Sequence, residues 1–266
     1  MASALNSEFF TLLETLNSNQ SFTFNLSPTY VENEGIVCSP CESKQLTTAN
    51  LKQLIESVVS NPLDVSVFGT ASIQVFESCI KTQAENLNIL DKQLFLLSSR
   101  IHSLSPVYKY TKDEQVVEID LNSVYANLQQ SLLDNFQQAV QDQVTTEGNL
   151  TIIYGIPLIK DEKLLYKEFY TDYKIDVNDP ASFKQKIGEA FLQEITKCVR
   201  SVTINSTSVL FKDLSFAERI QLVENLPSIA VQPIIKYIEK YKTLVEENLT
   251  IDGHVLSLDS SFFTLK

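Results

Sequence analysis

Cysteine is the residue type in this chain with the clearest chemical spacing. Cys38-Ser39-Pro40-Cys41 places two thiols around a two-residue gap, as in half a zinc knuckle or a thioredoxin-type redox pair. A zinc site needs a second pair of ligands. Cys79, Cys198, His102 and His254 are the candidates, and each stands singly and far away in the sequence. A redox pair would open a helix inside a βαβ unit, and no parallel-sheet unit surrounds this motif. We therefore expect an incidental pair, and keep a zinc-stabilised binding module on Cys38 and Cys41 as an alternative. Cys79 and Cys198 lie in helical apolar patterns and read as small core residues. The two histidines read as ordinary surface or hydrogen-bonded side chains.

Asp91 and Arg100 fall on one predicted helix, about two and a half turns apart, so they cannot pair with each other. A structural salt bridge or cap is expected for each. Tyr166, Phe169, Tyr170 and Tyr173 could form a stacking platform for bases. Basic residues are not interleaved densely there, so core or protein-interface packing is expected instead. Six glycines form no phosphate-cradling loop, and two histidines allow no Ser/His/Asp order. No catalytic, cofactor-binding or metal-ligating residue is assigned, no cofactor is expected, and the chain is not expected to be an enzyme.

The bulk numbers agree. The chain has 266 residues, 44% of them hydrophobic, enough to bury a substantial core. Its net charge is −12, with 21 Lys and Arg scattered along it. That balance disfavours nucleic acid and anionic membrane surfaces as partners. No apolar run approaches the roughly 20 residues that cross a bilayer. Met1–Leu16 carries Glu8 and Glu14 and no basic flank, unlike a secretory signal, so the cysteines are expected to be reduced.

Periodicity supplies the elements. Leu5, Phe9, Leu12, Leu13 and Leu16 predict an amphipathic helix over Ser3–Leu16. Alternation at Phe22, Phe24 and Leu26, with turn chemistry at Asn33-Glu34-Gly35, predicts a hairpin over Ser21–Val37. Helices are predicted from Leu51, capped by Thr48 or Asn50, through Ile73–Ile80, and from Asn88 to Pro106. Residues 107–122 read as short strands around Lys112-Asp113-Glu114, and Val124–Gln143 as a helix. Leu150–Val177 reads as β, with Lys160-Asp161-Glu162 a turn candidate. Phe183–Val199 is a predicted helix, followed by a strand at Ser201–Asn205. Ser215 and Glu218 have capping-box spacing. Helices are predicted up to Leu226-Pro227 and over 228–247, then a hairpin-like end over Leu249–Phe263. The fold class is α+β: an N-terminal β-hairpin with a helical cluster, a central β-rich segment and a mostly helical last third. The expected units are 1–106, 107–182 and 183–266.

Three stretches in order carry a resemblance. They are residues 41–62, then 85–105 with Leu87, Asp91, Leu96, Arg100 and Ser103, then 188–204 with 214–242 and the closing 258–263. The chain resembles baseplate hub and hub-assembly proteins of contractile-tailed, T-even-like phages. The resemblance implies a virion protein of the tail baseplate, or one acting in host cytoplasm during assembly, with other baseplate or tail proteins as partners and no enzymatic activity. It does not fix oligomeric state, or whether the protein stays in the mature particle. It also implies, for some relatives, a zinc-ribbon-like ending. Ile251-Asp252-Gly253-His254 holds no cysteine, so that feature is not expected here. Leu226-Pro227 matches the family's helix-ending pair. Candidate docking surfaces are Phe9-Phe10 and Phe262-Phe263, unless the same chain covers them. The alternative from another class is a cell-wall-degrading tail hydrolase built on scattered carboxylates.

Overall fold

The structure is a computed structural model that describes residues 20–31, 35–60, 65–135, 142–169 and 180–264. The predicted helix over Ser3–Leu16 lies outside them, as do Phe136, Val140, Tyr170 and Tyr173.

Strand β1 (Ser21–Asn25) alternates as expected, with Phe22 and Phe24 buried. Its partner is β4 (Pro40–Lys44), antiparallel, with Phe24 opposite Cys41. The expected hairpin over Ser21–Val37 is built differently: its second arm, β3 (Gly35–Val37), pairs with β2 (Thr29–Val31) and not with β1, and this inner pair is nested inside β1–β4. Gly35 has φ +80°, which a side chain would resist.

Helix α1 spans Thr48–Ser60. Its cap is one residue earlier than expected: Asn50 N donates to Thr47 Oγ1 and Thr47 N donates to Asn50 Oδ1. Helix α2 (Val65–Cys79) packs on α1. Helix α3 (Ile89–Ser103) starts at an Asn88–Asp91 capping box, close to the predicted start. The Phe95 ring joins β1 to α2, lying 6.0 Å from Phe24 and 5.0 Å from Phe76 between centroids.

Strands β5 (Val107–Lys112) and β6 (Gln115–Asp120) form the expected hairpin. Asp113 and Glu114 have φ 49° and 65°, the sense of a twist-matched two-residue turn. Helix α4 (Leu121–Asn135) follows at once. Next come β7 (Gln143–Glu147) and β8 (Leu150–Tyr154). The sequence reading then fails over Ile159–Phe169, which form helix α5 and not β, while residues 170–177 of the expected β lie outside the described residues. Lys160-Asp161-Glu162 is the first turn of α5.

Helix α6 (Pro180–Cys198) opens on proline, which fits the first helical position, and runs directly into β9 (Val199–Ile204). β9 pairs with β8 across the intervening α5 and α6, and β10 (Thr207–Leu210) closes the antiparallel order β10-β9-β8-β7. The expected capping box at Ser215 and Glu218 starts α7 (Phe216–Glu224). Pro227 then precedes α8 (Ser228–Leu249), which packs on α4 and α6. A hairpin with two-residue strands, β11 (Thr250–Ile251) with β12 (His254–Val255), leads to a 3-10 turn over Ser260–Phe263. One contiguous apolar cluster runs from Phe22 to Phe263. Helices and small antiparallel sheets stand side by side, so the α+β class holds.

Candidate functional site

Cys41 is 2% exposed on the inner face of β4, with Sγ 3.9 Å from Thr82 Oγ1. Cys38 is half-buried between β3 and β4. Burial raises both thiols above the ordinary cysteine value, outweighing hydrogen bonds from Thr82 and Gln129 respectively. A raised thiol is mostly protonated at neutral pH and is a poor nucleophile or ligand. Among the described residues no group of three or more His, Cys, Asp or Glu is placed to hold a metal. Cys79 and Cys198 are core residues as expected, and burial pushes Cys198 up to about 12. His102 stacks on Phe22 at 4.6 Å, and His254 on Tyr110 at 3.8 Å.

Asp91 is the cap that was expected. Its Oδ2 accepts from Asn88 N at 2.8 Å, and its Oδ1 from Ser27 N and Oγ at 2.7 Å. One carboxylate thus starts α3 and fastens the β1–β2 loop to it. Burial raises this carboxyl, and the Asn88 and Ser27 donors oppose that rise. Arg100 departs from expectation. It is 3% exposed, it makes no ion pair or cap among the described residues, and its Nε and Nη1 have no hydrogen-bond acceptor. Its Cζ lies 5.3 Å from the Tyr108 ring centre and 5.1 Å from that of Phe262. Ser103 accepts from Leu46 N at 2.9 Å, tying the end of α3 to the lead-in of α1.

A charge cluster that sequence reasoning missed surrounds the first turn of α5. Arg219 Nη1 meets Asp161 Oδ1 at 2.7 Å, and Arg200 Nη1 meets Oδ2 at 3.7 Å. Lys92 Nζ meets Glu162 Oε2 at 2.6 Å, and Lys197 approaches Oε1 at 3.8 Å. Lys197 also binds Glu194 at 2.7 Å, as does Lys242. Asp161, Glu162, Lys92, Lys197 and Arg219 are each below 10% exposed. The cluster joins α3, α5, α6, β9, α7 and α8. The amino end of α5 also favours acids in its first turn. Burial opposes the charge on Glu162, and Lys92 and Lys197 outweigh it to hold the carboxyl below its ordinary value. Burial likewise opposes Lys197, and Glu194 and Glu162 raise it. Glu162, Glu194 and Lys197 hold one another ionised, and the other charges pair across elements, so the cluster works as a clamp.

The surface carries a different feature. A groove of about 420 Å³ lies between β9–β10 and α7, walled by Val202, Ile204, Val209, Leu222 and Leu226. Ile204 is 54% exposed. β10 is an outer strand of its sheet, so an open edge borders the groove. Of the two expected docking surfaces, Phe9-Phe10 lies outside the described residues. Phe262 and Phe263 are below 2% exposed, covered by the same chain. Of the expected aromatic run, Tyr166 lies against Gly69 in α2. The Phe169 side chain is outside the described set.

The model of the family described as T4 bacteriophage base plate protein matches residues 42–252. No curated protein and no solved structure matches the chain.

Proposed function

This chain belongs to the T4 bacteriophage base plate protein family, and on that premise we propose that it is a baseplate hub subunit or hub-assembly protein. Family membership makes it a structural protein of the phage baseplate. The finer reading is that it works through protein–protein contacts, performs no chemistry of its own, and meets other tail proteins in host cytoplasm before or while joining the virion. One observation carries this reading. The buried charges around α5 are spent on one another, while an apolar groove beside an open strand edge is left to solvent. A subunit that docks needs such a surface, and buries it on assembly.

The test is co-expression with the phage's other baseplate proteins, affinity capture, and identification of what is retained by mass. Ile204→Glu puts a charge at the groove wall. Val116→Glu does the same at a site 66% exposed on β6, away from the groove. Loss of a named baseplate partner in the first and retention in the second supports the reading. Equal retention removes it. Cleared zones on peptidoglycan that track the purified protein would establish the hydrolase alternative instead.

A further inference from the structure

Buried cations in this protein are normally answered by carboxylates. Lys92, Lys197 and Arg219 each have one within 2.7 Å. Arg100 is buried as deeply, and has none among the described residues. Two of its nitrogens are sealed from water without an acceptor. Its surroundings do not compensate for this. The rings of Tyr108 and Phe262 attract a guanidinium by about 1–2 kcal/mol, less than the several kcal/mol that desolvating an ion costs. Asp259, the acid at the start of the neighbouring 3-10 turn, spends its Oδ1 on Ser261 N and Oγ. A second orphan polar atom, Tyr110 Oη, is buried on the same face of β5 as Tyr108.

We infer that Arg100 is the receiving site for a carboxylate that the described chain does not supply, enclosed between β5 and the 3-10 turn at Ser260–Phe263. The guanidinium's planar donor array fits a planar two-oxygen anion, and the ring walls exclude water from that contact. The cover is slight. It consists of a hairpin with two-residue strands and a four-residue turn, elements at the low end of local stability. This inference is independent of the docking groove on β9–β10.

The probe is sodium formate, exchanged against sodium chloride at constant ionic strength, with the full chain followed by thermal denaturation. Wild type is expected to gain about 3 °C by 0.5 M formate, as for a ligand of tens-of-millimolar affinity that binds only the folded state. Arg100→Met is expected to be flat in formate, and at or above wild type without it, because an unpaired buried ion has been removed. Arg100→Lys keeps the charge without the planar donor array, and should show less than half the wild-type gain. If Arg100→Met does not fold, the lysine variant carries the comparison. Parallel formate responses in wild type and variant would overturn the inference. So would a folded Arg100→Met that melts well below wild type in chloride, since the rings would then suffice. With a formate response in hand, capture of baseplate proteins by Arg100→Lys separates the sources. Loss of a named partner assigns the carboxylate to that partner's Asp or Glu, and unchanged capture assigns it to a free anion.

Discussion

Replacing Glu162 with glutamine should be among the most damaging single changes in the described structure. Lys92 Nζ lies 2.6 Å from Glu162 Oε2, and Lys92 is 9% exposed. At an effective dielectric constant of ~20, attraction over that distance is about 6 kcal/mol. Burying two ions costs a comparable amount, so the intact pair is close to neutral for stability. The amide removes the attraction and leaves Lys92 without an anion. The expected loss is about 3–5 kcal/mol, against a total on the order of 5–15 kcal/mol. Lys92→Met alone should cost less, roughly 2 kcal/mol, because Glu162 keeps Lys197 at 3.8 Å. The double variant should be more stable than Glu162→Gln by about 2 kcal/mol or more, since no stranded charge remains and Lys197 still holds Glu194. Urea unfolding reads all four proteins. With no tryptophan and ten tyrosines, far-ultraviolet circular dichroism and tyrosine emission are the paired probes. At a slope on the order of 3 kcal/mol per molar urea, Glu162→Gln should move the midpoint down by about 1–1.7 M. If the losses add, or if Glu162→Gln costs under about 1 kcal/mol, the clamp does not work as described.

Two further outcomes follow from the same structure. Burial opposes the charge on Glu194, but Lys197 and Lys242 outweigh it and hold the carboxyl at about 2, against 4.5 for a free group. A depressed folded value means stability present above about pH 4.5 and lost as pH falls toward 2. The side chain is 30% exposed, so screening cuts the loss to about 1–2 kcal/mol. Urea midpoints measured across that window should fall further for wild type than for Glu194→Gln, which keeps the contribution of Glu162, and parallel curves would refute the pairing. In the second case, a Cβ at Gly69 would come within 2.8 Å of Tyr166 Cε2, whereas one at Gly188 meets nothing within 4 Å. Gly69→Ala should lose about 1–3 kcal/mol to overpacking, and Gly188→Ala should gain about 0.5–1 kcal/mol in its helix. Calorimetry checks both signs, and two changes of the same sign would contradict the packing described.

Elements with local signals were legible in the sequence. Asn88 and Asp91 announce α3, Ser215 and Glu218 announce α7, and the alternation of Phe22 and Phe24 gives β1 its inner face. Partners and reversed polarity were not legible. β1 crosses a nested hairpin to find β4, and β8 crosses two helices to find β9, distances that no turn signal reports. Helix α5 was misread because its inward face carries Asp161 and Glu162. Hydrophobic periodicity assumes that polar residues face water, and here four basic side chains from other elements reverse that assumption. Arg100 was expected to be paired for the same reason. A sequence shows that a guanidinium is present, but not that no carboxylate arrives beside it.

The 3-10 turn at Ser260–Phe263 rests on α1, so nearly the last described residues complete the cover of one of the first helices. During synthesis on a ribosome, α1 emerges long before that cover exists. Helix α2 can cover part of the apolar side of α1 early, but the part beneath the turn stays open until Ser260–Phe263 has been made. A stop placed just before Ser260 would therefore leave that part of α1 uncovered and prone to aggregation, even with α1 to α8 encoded intact.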